Sequence, residues 1–357
     1  MPITKKNFCQ KDAVVIDVTI RDVARIAGVS VATVSRVINN NLGVRQETIE
    51  KVQNAISQTG YVPNTIAQNL KSDKTKIIGL IISNISNHHF TTMAQVIEKI
   101  LRDHGYSLIV SSTEDKPALE RDILKRYMGL RVDGLIINTT NQNNQYIADL
   151  SHTIPTVLIE RNISESNFLG DIITSNNYSG MYSIVQHLLS CGHRKIGIIN
   201  SCLQVSTGQE RLRGFTAAMN EAGLNVDNDY SYRFDCQYFN EEGGVKGCKH
   251  LMSLENPPTA IVVSNNTMAI GVYKYLHLCG YNVPNDVSVV SYGNIENSEL
   301  FAVTPSYTTH SPFFIGEKAA NHLLSRIEDP NKGNREVIFE PSLVVNSSIK
   351  SLYTPAA

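Results

Sequence analysis

A chain of 357 residues exceeds one ordinary domain and implies two or three. With 42% hydrophobic and 18% charged residues it reads as folded and globular, which excludes a disordered or fibrous chain. The formal net charge of −1 hides an asymmetry, because residues 1–76 hold 11 Lys and Arg against 6 Asp and Glu. A basic head on an acidic body fits a head that meets phosphate, although a chance excess on a short segment has the same look.

The six cysteines, Cys9, Cys191, Cys202, Cys236, Cys248 and Cys279, are scattered without a CxxC pair, as reduced thiols are. Cys191 with His187 and His193 comes nearest to a metal cluster, but a helix end followed by a polar turn explains it better. Neither a metal nor a cofactor is implied. No run approaches the roughly 18 apolar residues of a membrane span. The first residues lack the apolar core and cleavage site of a signal peptide, so the expected location is the cytoplasm, with no membrane partner.

Residues 1–18 read as a flexible extension. The next segment, TIRDVARIAGVSVATVSRVINN, opens a compact helical head over 19–63. Thr19 and Asp22 form a capping box, and Ile20, Val23, Ala24 and Ile26 supply the apolar stripe of a first helix. Ala27-Gly28-Val29 makes the tight turn, where glycine adopts a left-handed backbone at low cost. Ser30 caps a second helix with Val34, Val37 and Ile38 inward, leaving Val31, Ala32, Thr33, Ser35 and Arg36 outward. A third helix over about Glu47–Thr59 buries Ile49, Val52 and Ile56. A ligand-free three-helix bundle has the same geometry. The small, hydroxylated outer face beside Arg25, Arg36, Arg45 and Lys51 favours double-stranded DNA.

Pro63-Asn64 breaks the pattern and KSDKTK (71–76) is linker-like, giving a hinge and linker over 64–76. From 77 to 357 the rhythm is α/β. Short apolar runs (IIGLIIS, YSLIVSS, GLIIN, PTVLIE, KIGIIN, TAIVVS, VSVVSY) alternate with amphipathic stretches such as MAQVIEKILRDHG. Runs this apolar imply strands buried on both faces of a parallel sheet. About 280 residues suit two doubly wound lobes with a cleft between them.

DVARIAGVSVATVSRVIN followed by GYVPNTIAQNL resembles the lactose-repressor (LacI/GalR) family of transcriptional regulators, from about Thr19 to Val345. The resemblance implies an all-α helix-turn-helix head plus hinge helix, joined to an α/β periplasmic-binding-protein-like core of two parallel-sheet lobes. It makes Val31, Ala32, Thr33, Ser35 and Arg36 major-groove positions, with Thr19 and Arg45 also on the DNA side. Asn64, Ala67 and Leu70 become hinge positions, Leu70 wedging into the minor groove; from the residues alone, Leu70 packing on a core is an equal reading. The implied partners are an operator, a second copy of the chain as a homodimer, and a small-molecule effector.

Effectors in such lobes sit beyond the carboxyl ends of strands. That places Asn84, Asn87, His89 and Phe90 after the first strand, Glu160 and Arg161 after PTVLIE, and Asn265 after TAIVVS, while Arg211 holds the family's effector position. Bland alternatives stay open: a solvated Glu160–Arg161 ion pair, Asn265 as a helix cap, and a plain loop at His88-His89. The chain departs from the family where members read GFDD or GYDD, since Gly293 replaces an aspartate that grips vicinal sugar hydroxyls. Asn265-Asn266 and Asn176-Asn177 also stand where Asn-Asp and Asp-Asn are usual. Fewer carboxylates suit an effector that is itself negative, a sugar acid or phosphate. Two other classes are disfavoured. An enzyme lacks GxSxG, HExxH and GxxxxGK[ST] here, leaving only a weak glycine-rich GGVKG, and a transport protein would carry a signal peptide and no head. A small-molecule receptor without specific DNA readout remains the runner-up. Dimer against tetramer stays open, although the stretch after Val345 is too short for a heptad helix.

Overall fold

The computed structural model describes residues 18–38, 43–61, 74–227, 229–309 and 311–353, and it separates into two units, 1–75 and 76–357. The first unit holds α1 (Ile20–Ala27), α2 (Val31–Ile38) and α3 (Gln46–Thr59). Gly28 ends α1 with φ +65°, which is where the turn needs glycine. Val23, Ala24, Ala27, Val34, Val37, Val52 and Ala55 form the core, with Ile20, Ile38, Ile49 and Ile56 packed against it. One sequence expectation fails here: Ile26 is 47% exposed, and Ala27 takes its place inside. At 3.6 residues per turn, positions 20, 23, 24 and 27 share a face and 26 falls outside it.

In the second unit the first lobe's sheet runs β11-β5-β4-β3-β1-β2, all parallel. Its strands are β1 (Ile77–Ile82), β2 (Ser107–Ser112), β3 (Gly134–Ile137), β4 (Thr156–Ile159), β5 (Asp171–Ser175) and β11 (Glu336–Phe339). Its helices are α4 (His88–Asp103), α5 (Pro117–Gly129), α6 (Asn144–Ser151) and α11 (Pro312–Glu328). The central β1, β3 and β4 are buried as the apolar runs predict, whereas β2 lies at the edge and is only half-buried.

The second lobe's sheet runs β12-β10-β9-β8-β6-β7, parallel except for β12 against β10. It comprises β6 (Ile196–Asn200), β7 (Arg233–Asp235), β8 (Ala260–Val263), β9 (Ser288–Tyr292), β10 (Ser306–Thr309) and β12 (Ser342–Val344). Helices α7 (Asn177–Ser190), α8 (Ser206–Glu221), α9 (Glu241–Met252) and α10 (Asn266–Leu278) cover it. The GGVKG segment lies inside α9 and lets two helices touch. A Cβ on Gly244 would sit 1.9 Å from the Met268 carbonyl oxygen, and one on Gly271 2.0 Å from that of Glu241.

The chain passes between the lobes after β5, after β10 and after β11. Two of these passages are bonded together: Asn176 and Ser179 both donate to the Glu340 carboxylate, at 2.8 and 2.7 Å. Beneath β5, the fully buried Asp171 accepts from Arg326 at 2.6 Å, from the Arg335 backbone and guanidinium, and from His322 at 3.2 Å. Burial alone would raise this carboxyl; the bonds from His322, Arg335 and Arg326 outweigh it and hold it well below the usual range. This network ties α11 and β11, which arrive late in the chain, to the first lobe. The Cys191–His193 region is likewise structural, since His193 bonds Thr259 at 2.9 Å and the Lys350 carbonyl at 3.0 Å.

Candidate functional site

Two surfaces carry the chemistry expected from the sequence, and the first is the amino end of α2. The Ser30 side chain accepts from the Thr33 backbone N–H at 3.1 Å, fixing the first turn and presenting its outer face. Val31, Ala32 and Arg36 are exposed, while Thr33 and Ser35 are half-buried. Thr19 is also exposed, and both its backbone N–H and its hydroxyl donate to Asp22, at 3.1 and 2.8 Å. The head's ion pairs among the described residues are Arg25–Asp22 and Lys51–Glu47, so Arg36 and Arg45 point outward without a described carboxylate partner. An exposed valine, an alanine and an arginine on one short helix face match what base edges require: contact with a methyl group, close approach, and donors. Asn64, Ala67 and Leu70 lie outside the described residues.

The second surface is a narrow cleft between the lobes, at the carboxyl ends of the strands. The structure brings Asn84, Asn87, His89, Phe90, Glu160, Arg161, Arg211 and Asn265 together there. Gly293 does not line it. It follows Tyr292 with φ +92° and receives the Ser291 hydroxyl on its carbonyl.

Glu160 and Arg161 are buried and do not pair with each other. Glu160 takes a left-handed backbone at φ +62°, uncommon for a residue with a Cβ, and this turns its carboxylate toward His89 Nε2 at 2.7 Å. Arg161 donates instead to Asp115 and to the Thr139 carbonyl, both at 2.8 Å, and lies 5.2 Å from the Phe239 ring across the cleft. The solvated ion pair is thereby replaced by two buried pairings.

Arg211 is buried and donates to Asn177 Oδ1 at 2.8 Å and to the Ser264 carbonyl at 2.5 Å; the Tyr292 side chain also bonds it, and the Glu160 carboxylate acts on it electrostatically. Its guanidinium stacks 3.9 Å over the Tyr292 ring. Burial lowers the pKa of this guanidinium and pushes the Tyr292 phenol up to about 12, so arginine is the charged member of the stack. Asn265 does cap α10, accepting from Thr267 and Met268, and it faces the cleft as well. His89 opens α4 rather than lying in a loop.

Sequence reasoning missed Ser83, Asn138, Thr207, Phe239, Asn266 and Tyr292, which also line the cleft. Ser83, Asn138 and Tyr292 follow or end strands, so the strand-end rule applied to every run would have found them. Phe239 carries no such signal.

Against known proteins, residues 19–64 match the family described as bacterial regulatory proteins, lacI family, and residues 185–349 match a periplasmic binding protein-like domain. The chain is 33% identical over 335 residues to the HTH-type transcriptional repressor PurR of Photobacterium profundum, covering 94% of this chain and 99% of that one. The chain belongs to the lacI family of bacterial regulatory proteins. It is also 32% identical to the ribose operon repressor of Haemophilus influenzae, over the same shares of the two chains. Among solved structures, the lac repressor dimer bound to operator and the anti-inducer ONPF superposes with a TM-score of 0.80 at 25% identity, covering 93% of this chain and 99% of that chain.

For a lacI-family regulator the two surfaces have distinct roles to fill, one toward DNA and one toward a small molecule. The curated relatives named here are transcriptional repressors. No helix among the described residues is long and apolar enough to cross a membrane.

Proposed function

We propose that this lacI-family protein is a repressor that binds a pseudo-palindromic operator as a homodimer and is switched by a small anionic sugar derivative in the cleft. The observation that carries the effector class is Arg211, a buried cation that lines the cleft and whose hydrogen-bond partners, Asn177, the Ser264 carbonyl and the Tyr292 side chain, are all neutral. A ligand carboxylate or phosphate supplies the charge-assisted partner that those groups do not. The amino ends of α4, α8 and α10 also meet the cleft through His89, Thr207 and Asn266, and their backbone dipoles favour an anion. Glu160, the acidic side chain among the cleft-lining residues, is bonded to His89 and offsets part of the Arg211 charge electrostatically, without a described hydrogen bond to it. Asn84, Asn138 and Asn265 remain placed for hydroxyls, and the Asn138 amide oxygen lacks a hydrogen-bond partner in its buried position.

In the head, Val31, Ala32, Thr33, Ser35 and Arg36 read the major groove, with Thr19 and Arg45 toward the backbone. Asn64, Ala67 and Leu70 form the hinge in this reading. Residues 19–63 make the DNA-binding domain, 64–76 the hinge and linker, and 77–357 the effector and dimerisation domain. Effector binding favours one lobe arrangement, and operator affinity changes by the effector's differential affinity for the two states. The homodimer reading is supported by large exposed apolar residues on the second lobe, Ile270, Leu278, Leu300 and Phe301. The role is binding rather than catalysis, in keeping with repressor relatives.

Isothermal titration of the full chain against neutral pentoses and hexoses, sugar acids and sugar phosphates tests the effector class. An acid or phosphate should bind, and Arg211→Ala should abolish that binding. A neutral pentose binding more tightly than every acid and phosphate would overturn the assignment.

A further inference from the structure

At the mouth of the cleft two carboxamides face each other from opposite lobes. Asn87 Nδ2 donates to Asn266 Oδ1 at 3.2 Å, and Asn266 Nδ2 donates back to Asn87 Oδ1 at 3.1 Å. Asn87 immediately precedes α4 of the first lobe, and Asn266 is the first residue of α10 of the second. The orientation of the pair is templated. Asn87 Oδ1 also accepts from the His89 backbone N–H at 3.0 Å, which forces its amide nitrogen to face the other lobe. Asn266 is spared the capping task because Asn265 performs it. It stands where an aspartate is usual, and an aspartate could accept from Asn87 but could not donate back.

We infer that Asn87 and Asn266 form a latch that holds the two lobes together and fixes the width of the closed cleft. Among the described residues the other hydrogen bonds and ion pairs between the lobes are exposed: His88 with Glu296 at 3.0 Å, Gln142 with Gln204, and the Asn162 N–H with Ser206 Oγ at 3.2 Å; Arg161 facing the Phe239 ring adds a cation–π contact. Exposed pairs of this kind contribute little, whereas a reciprocal, part-buried pair is the stronger tie. The same two side chains line the cleft, so an effector oxygen reaching them exchanges one set of bonds for another. The latch thereby sets how far binding must move the lobes. That consequence rests on the cleft being the effector site; the latch itself does not.

Hydrogen exchange on the full-length protein without added ligand tests it, comparing wild type, Asn266→Ala and Asn266→Asp. Breaking a latch opens the cleft, so Asn266→Ala should speed exchange in the segment 84–92 of the other lobe as well as around 264–270. Asn266→Asp keeps one of the two bonds and should fall between. A double-mutant cycle of Asn87→Ala with Asn266→Ala should show non-additive melting temperatures, by about 2–4 °C. Exchange altered only around 264–270, with additive melting temperatures, would overturn the latch. Because no effector is added, that failure is distinct from the failure of any sugar acid or phosphate to bind.

Discussion

Replacing Asp171 by asparagine should destabilise the second unit by about 3 kcal/mol, a figure that follows from weighing the three side chains that donate to it, Arg326, Arg335 and His322. Arg335 is 36% exposed and His322 is partly exposed, so solvent screens both and their shares are small. Arg326 is 3% exposed and decides the outcome. Asparagine leaves that guanidinium buried beside a neutral amide. Its remaining bonds to the carbonyls of Lys332 and Gly333, both at 3.1 Å, keep the cost at the low end of the range for breaking a buried ion pair. For a unit of this size the change corresponds to a melting temperature lower by roughly 5–10 °C. The folded carboxyl is held below its unfolded value. Its contribution is therefore complete above about pH 4–5 and erodes as pH falls toward the depressed value, by about 1.4 kcal/mol per unit. The gap between wild type and variant should be wide at pH 7 and narrow steadily from pH 4 downward. Thermal unfolding followed by circular dichroism across pH 3–7 reads both quantities. A variant within about 1 kcal/mol of wild type at pH 7, or a gap that does not change with pH, would refute the reasoning.

Other substitutions probe the head and the helix packing of the second lobe. Ser30→Ala removes the cap on the Thr33 N–H and should cost the head about 1 kcal/mol, seen as a lower unfolding midpoint of the head and weaker operator binding. Arg36→Ala should cost about 1–3 kcal/mol of operator affinity and relax preference at one base position, measured by binding to a set of single-base operator variants. Arg45→Ala should instead weaken all sequences alike and lower the slope of log affinity against log salt by about one. Gly244→Ala places a methyl group 1.9 Å from the Met268 oxygen and must push α9 from α10. A cost of about 1–3 kcal/mol in denaturant unfolding is expected, and an unchanged midpoint would contradict the close packing.

What the sequence made legible was the part written in local pattern. The capping pair Thr19 and Asp22, the turn at Gly28 and the cap at Ser30 each act within a few residues, and all three are present. The central strands announced themselves because burial on both faces demands continuous apolar runs. β5 escaped because its first residue is an aspartate, and only the late-arriving Arg326 and Arg335 make its burial tolerable. β7, β10, β11 and β12 are short or lie toward sheet edges, where half-exposed, mixed sequences carry no clear period. Ile26 misled because it is apolar but off the buried face. In the cleft, strand ends located the right residues without their pairings. Glu160 meets His89 from 71 positions away and Arg161 meets Asp115 from 46, contacts that neither composition nor spacing encodes.

In the proposed function, an operator-reading head is governed by an anion held near Arg211. Selection of operators from a random DNA pool by the full-length protein, repeated with neutral sugars, sugar acids and sugar phosphates, tests it most directly. One enriched pseudo-palindrome is expected, with binding that falls steeply with salt and shifts with an acid or phosphate but not with its neutral parent sugar. No enriched sequence under any condition would contradict it, and would leave a small-molecule receptor whose head does not read DNA.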